Sequence, residues 1–428
     1  MTSIVGVLNK SAVAIAADSA VTLGDTHKVI NSGNKIFTLS KYNPIAIMTY
    51  SAASFMETPW EVIIKLYRKN LADKSKAHIE DYANDFIEFI KNQDYLTSEE
   101  AQHNNLLVQI FGYYKFCFEK AFSKRILNHQ DFDIKDSNTY SLLRDEMKKV
   151  FEEASKSGLC DAFKDYKYSD FEMYSQSDFE KFFNLTNSPV PIIIPMSERQ
   201  SFKEMFFNYL RCNIASSTYT GLVFTGYGEI DIYPAFISIR ISGFVDGRLK
   251  YFIEKNGIFH ISNNNPSCIV PFAQKDVIQT IMDGMYPGFK DIIKKVVNSS
   301  VSAYTNIVKQ VIGKDPNCSS VLADLNKFDN AKISNSINQT ISTLMFENYT
   351  KNLIGTVASL GKEDMANMAE SFISLTSLIR RMSPREETVG GPIDVAIISK
   401  GDGFIWVKRK HYFSPEYNNH FFANYFNL

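Results

Sequence analysis

The chain has 428 residues, more than one compact core usually holds, so it carries either two domains or one domain with large insertions. A composition of 45% hydrophobic and 22% charged residues, with 33 Phe and 22 Tyr, belongs to a folded protein and excludes long disorder. Lys+Arg (46) and Asp+Glu (47) almost cancel, which excludes a net field that would recruit nucleic acid or an anionic membrane, and neither is expected as a partner.

Five cysteines, at positions 117, 160, 212, 268 and 318, are scattered and lack the close pairs of metal or redox motifs, so a reduced, cytoplasmic chain is expected. No run reaches the roughly 18 apolar residues of a membrane span. Small residues at 14–20 imitate a cleavage site. No positive segment precedes them and Lys10 interrupts the apolar run, so no signal peptide is expected.

In chain order, residues 3–7 and 12–16 are short apolar runs separated by Leu8-Asn9-Lys10-Ser11, the pattern of a β-hairpin. Extended pieces follow at 29–30, 35–39 and 45–49, with turns at 31–34 and 41–44. Helical spacing then predicts helices over 57–71 and 78–91, and further helical periodicity through to about residue 195, broken by a loop at 184–195. A helix over 201–215 gives way to a buried strand at 221–225. An alternating strand at 235–244 turns at Asp246-Gly247 into a partner at 248–254. Helical segments from 272 to about 360, a helix at 365–380, and strands at 393–399 and 404–408 complete the chain. This order predicts an α+β fold with sheets inside and helices outside.

Chemistry is concentrated in the first 53 residues, where Thr2, Asp18 and Lys35 fall in a usable order. A threonine hydroxyl needs an adjacent base, and a first-residue threonine carries one in its own α-amine, whose pKa of about 7.7 to 8.0 suits neutral pH. Thr2 follows the initiator Met, and its small size permits ordinary removal of Met1. Singly, Thr2 is a strand-start residue, Asp18 a turn or cap residue and Lys35 a solvated amine. Their joint order and hairpin context favour the chemical reading.

The segment 1–53, with Ala16-Ala17-Asp18-Ser19, Gly24 and Lys35-Ile36-Phe37, resembles the start of a proteasome β-subunit-like N-terminal nucleophile hydrolase. The resemblance implies a four-layer αββα sandwich formed by one domain, residues 1–428. Residues 92–196 and 287–362, without counterparts, are expected as two helical insertions.

It implies that Thr2 is the nucleophile and that Asp18 and Lys35 orient it and supply positive charge. It places the oxyanion N–H at Tyr50, where the pattern's glycine is replaced, and substrate contacts at Met48, Val21 and Ala52. Met48, on this reading, floors an apolar specificity pocket, although a core methionine is the alternative. Residues 201–228 and 385–407 resemble later blocks of the family. Glu386 stands for a supporting acid, while Val389 replaces a serine, and 269–274 lacks an expected Gly-Ser-Gly.

The expected activity is therefore cleavage of peptide or other amide bonds through an acyl-enzyme ester on Thr2. The alternatives are a catalytically silent scaffold of the same fold, suggested by Tyr50 and Val389, and a small-molecule amidase. A homo-oligomer, in the family's case a ring, and an ATP-dependent unfoldase are the implied partners. No cofactor and no metal are expected. Gly226-Tyr227-Gly228 lacks the third glycine of a dinucleotide site, the seven histidines form no HExxH, and Asp131-Phe132-Asp133 lacks the rest of a calcium loop.

Overall fold

The computed structural model describes residues 2–23, 28–127, 137–314, 319–327, 329–383, 389–420 and 423. Asp131-Phe132-Asp133, Cys318, Gly24 and Glu386 lie outside the described residues. The strands are β1 Ile4–Asn9, β2 Val13–Ala17, β3 Val21–Leu23, β4 Lys28–Ile30, β5 Ile36–Thr38, β6 Ile45–Ser51, β7 Ser54–Phe55, β8 Thr58–Pro59, β9 Thr220–Gly226, β10 Ala235–Val245, β11 Arg248–His260, β12 Ser267–Ala273, β13 Asp394–Ser399 and β14 Gly403–Lys408. Helices α1 Trp60–Leu71 to α6 Arg199–Leu210 precede β9. Between them lie α2 Ile79–Lys91, α3 Glu99–Leu127, α4 Ser137–Ser155 and α5 Tyr168–Phe183. After β12 come α7 Lys275–Asp283, α8 Pro287–Ile312, α9 Ser319–Asn326, α10 Asn330–Met345, α11 Lys351–Val357 and α12 Lys362–Met382. The architecture is α+β, with antiparallel sheets.

Two compact units divide the chain. One comprises Met1–Ser32, Ile261–Ile397 and Trp406–Leu428, the other Gly33–His260 and Ile398–Ile405. The first unit holds a five-stranded sheet in the order β12-β1-β2-β13-β14. The polar turn after β1 closes the expected hairpin, with Ile4 opposite Ala17 and Leu8 opposite Val13. Val5, Val7, Ala12, Ala14 and Ala16 present one face of it to Met365, Ala369, Phe372 and Ile373 of α12. The small alanines let the helix lie close, which keeps the interface dense.

β12 departs from expectation. The apolar run from residue 272 reads as the start of a helix, yet Ser267–Ala273 is a strand paired with β1, and the helix begins at Lys275. Pro271, which argues against a central strand, is accommodated because β12 is the outer neighbour of β1 and the register slips between Ile4 and Val5.

The second unit holds a sheet in the order β11-β10-β9-β6-β5, each neighbouring pair antiparallel. Ile45, Ile47, Leu222, Phe224, Ile237 and Ile239 face α1 and α2, whose Trp60, Ile63, Tyr67, Tyr82 and Phe86 complete that core. A separate core, dominated by aromatic side chains of α3, α5 and α6, includes Tyr113, Tyr114, Phe118, Phe171, Phe182, Phe202 and Phe206. The last helix of this group stops at Leu210, short of the expected residue 215. Backbone pairing takes over there: Arg211 O accepts from Cys160 N at 2.8 Å, and Asn213 N donates to Gly158 O at 2.9 Å.

Candidate active site

Asp18 follows β2 and is 1% exposed. Its Oδ1 accepts from Ser3 N at 2.8 Å, and its Oδ2 from Ala20 N at 3.1 Å and Gly390 N at 3.2 Å. Asp18 N in turn donates to Ser3 O at 3.2 Å. Hydrogen bonds to a carboxylate are stronger than those between neutral groups, so this cradle fixes the backbone one residue from Thr2. Ser19 repeats the attachment, with N donating to Gly390 O at 3.1 Å and Oγ to Pro392 O at 2.6 Å. The structure thus brings the start of β1, the end of β2 and the glycine pair before β13 together around one carboxylate.

Thr2 itself is buried, at 7% exposed. Beside it, Ser3 is wholly buried and its Oγ has no hydrogen-bond partner among the described residues. Sequence reading passed over Ser3, because a serine between Thr2 and an apolar strand carries no distinguishing pattern. Val389, where the resemblance expects a hydroxyl, is fully buried, and its carbonyl accepts from Ser377 Oγ at 3.4 Å. Val21 is half-buried in the short β3–β4 ribbon, opposite Ile30.

The other expected residues belong to the second unit. Lys35 precedes β5, is buried, and its carbonyl accepts from Thr49 N at 2.9 Å. Met48 sits in β6 between Ile36 and Val223 and is 0% exposed. Ala52 is half-buried, with its N–H committed to Tyr219 O at 3.1 Å. Ser51, between Tyr50 and Ala52, has φ 74°, a left-handed conformation that an L side chain adopts only when its surroundings impose it.

Tyr50 is opposite Gly221 of β9, and a Cβ at Gly221 would fall inside the Tyr50 ring. The glycine makes room for the ring to lie flat on the neighbouring strand. The Tyr50 hydroxyl donates to Glu254 Oε2 at 3.1 Å, Ser238 Oγ donates to the same oxygen at 2.7 Å, and Arg240 pairs with Oε1. Burial, with the Glu254 carboxylate beside it, holds the hydroxyl well above the usual phenol range. The tyrosine at position 50 therefore has a structural partner in Gly221 and a polar terminus in Glu254. Sequence reading missed this cluster, whose signal is Ser238 and Arg240 alternating with Ile237, Ile239 and Ile241 in β10.

Among the described residues, no group of three or more His, Cys, Asp and Glu side chains is placed to hold a metal ion, and no helix is long and apolar enough to cross a membrane.

No protein-family profile matches the chain, and no curated protein does. Among solved structures, the Anbu (Gly-1) mutant from Hyphomicrobium sp. strain MC1 aligns with 100% of this chain and 98% of its own, at 9% identity and a TM-score of 0.30. Anbu (ancestral beta-subunit) from Yersinia bercovieri aligns with 100% of this chain and 97% of its own, at 8% identity and a TM-score of 0.28. Superposition at that level carries no argument on fold or chemistry. The expected membership in the proteasome β-subunit-like N-terminal nucleophile family is accordingly corrected: no family profile takes the chain in, and these solved structures bear the name Anbu. The resemblance rested on residues 1–53 and on scattered later blocks at 201–228 and 385–407, short local arrangements that do not fix a family, and the chain departs from the pattern at Tyr50 and Val389.

Proposed function

We propose that the chain hydrolyses amide bonds, peptide bonds first among them, with Thr2 as nucleophile once Met1 has been removed. The observation that carries this reading is the Asp18 cradle, which fixes Ser3, and with it the backbone at Thr2, by a charge-assisted bond of 2.8 Å. In the reaction, the free α-amine of Thr2 takes the hydroxyl proton as Oγ attacks the carbonyl carbon. The tetrahedral intermediate collapses as the amine returns that proton to the departing nitrogen, leaving an ester on Thr2. Water, deprotonated by the same amine, then cleaves the ester and restores the hydroxyl. Asp18 acts as a positioning residue. From the sequence pattern, the reading adds Lys35 as the positive charge favouring the ionised hydroxyl, the Tyr50 backbone N–H as oxyanion donor, and Met48, Val21 and Ala52 as substrate contacts.

A catalytically silent scaffold is the competing reading, favoured by the fully buried, apolar Val389 where a hydroxyl is expected. Turnover separates the two. The first reading predicts release of fluorophore from short peptide amides by the wild-type chain and none by Thr2→Ala; equal turnover by Thr2→Ala, or none by either, overturns it.

A further inference from the structure

A second feature lies within the second unit, where α3, α6, β11 and residues 215–219 enclose a cavity of about 280 Å³. At its wall is Lys250, 1% exposed, whose Nζ has no hydrogen-bond partner among the described residues. Gln109, 3% exposed, lines the same space, and its Nε2 likewise has no partner among the described residues. Two buried donors facing one cavity without acceptors are costly for the fold, since each has lost water and gained nothing in return. Burial pushes the Lys250 amine down to about 8. Cys160 and Cys212 act on this amine electrostatically, and their thiols donate elsewhere, to Tyr251 O and Asn208 O, at 3.3 Å each.

The remaining lining is aromatic and small. Tyr113, Phe206 and Tyr209 contribute rings, with Lys250 Nζ 5.9 Å from the centre of the Tyr209 ring. The mouth is marked by Phe116, 46% exposed, and by the exposed Ser217. Gly112, inside helix α3, has no Cβ, and one added there would collide with the Ser217 side chain. A glycine in mid-helix weakens the helix, so this close approach of the 215–219 segment is a built feature.

We propose that this cavity binds a small organic monocarboxylate, its carboxylate taken by Lys250 Nζ and Gln109 Nε2 and its apolar body laid among the Tyr113, Phe206 and Tyr209 rings. Lys250 is the single charged side chain in the lining, so a monoanion is matched and a dianion such as phosphate is not. The planar carboxylate offers two oxygens to the two donors.

Isothermal titration calorimetry on the full chain with benzoate, 3-phenylpropanoate and hexanoate tests this, with benzamide and inorganic phosphate as controls. At least one carboxylate is expected to bind with Kd below about 1 mM. The controls should bind about 10-fold more weakly or not at all, and Lys250→Met should weaken the carboxylate by about 10-fold or more. No carboxylate below that Kd, equal binding by benzamide or phosphate, or unchanged affinity in Lys250→Met overturns the proposal. Should Lys250→Met fail to fold, Gln109→Leu takes its place. Its affinity must fall by about 3-fold or more, and an unchanged value overturns the proposal equally.

Discussion

Gly390 N donates to Asp18 Oδ2 at 3.2 Å across 372 residues of sequence, tying the segment before β13 to the end of β2. With Ser3 N and Ala20 N on the same carboxylate, one side chain joins three backbone segments around Thr2. Asp18→Ala would leave three N–H groups without their acceptor. At about 1–3 kcal/mol for each buried donor, with partial relaxation, a loss of about 3–5 kcal/mol is expected in urea unfolding. Hydrogen exchange at Gly390 N should accelerate as well. A variant as stable as wild type would show that the cradle does not hold these segments.

Gly221 and Tyr50 form a size-matched pair. Gly221→Ala forces the ring off the strand and should cost about 1–3 kcal/mol. Removing the ring by Tyr50→Ala relieves that clash. The double variant should therefore be more stable than the sum of the two single losses by about 1 kcal/mol or more, read from denaturation midpoints. Strict additivity would mean that the two side-chain positions do not compete for space.

Lys250 makes stability depend on pH in a defined direction. The native amine titrates at about 8 against 10.5 unfolded. Below about pH 8 both states are protonated and the cost of burying the charge is complete. Between 8 and 10.5 the native amine is neutral while the unfolded chain still binds the proton, so this group's contribution to stability rises with pH. Lys250→Met should accordingly be more stable than wild type at pH 7, by about 3 kcal/mol, and the difference should shrink towards pH 10.5. A difference that is constant with pH, or that favours wild type at pH 7, contradicts the assignment.

The opening hairpin was legible because Leu8-Asn9-Lys10-Ser11 interrupts two apolar runs, and helices α1, α2 and α12 because their buried residues recur at helical spacing. Strand β12 was not, because Pro271 and the helical periodicity beginning at Lys275 mask a strand defined only by its pairing with β1. At the candidate site the types and order of Thr2, Asp18 and Lys35 are visible in sequence. What Asp18 holds is not, since Gly390 is distant in the chain and contributes only a backbone N–H. The same reason hid the Tyr50–Glu254 bond, whose partners are 204 residues apart, and the glycine beneath Tyr50, which sequence presents simply as the start of a buried strand. Lys250 was hidden differently: one lysine in an alternating strand reads as solvated, and only three-dimensional packing shows it buried without a hydrogen-bond partner among the described residues.

Thr2, as the first residue, is the proposed nucleophile. Intact-mass spectrometry of the purified chain before and after treatment with a peptide epoxyketone tests it most directly. A mass lacking Met1, a gain of one probe in wild type, and no gain in Thr2→Ala are expected. Retention of Met1, or equal labelling of Thr2→Ala, would contradict it.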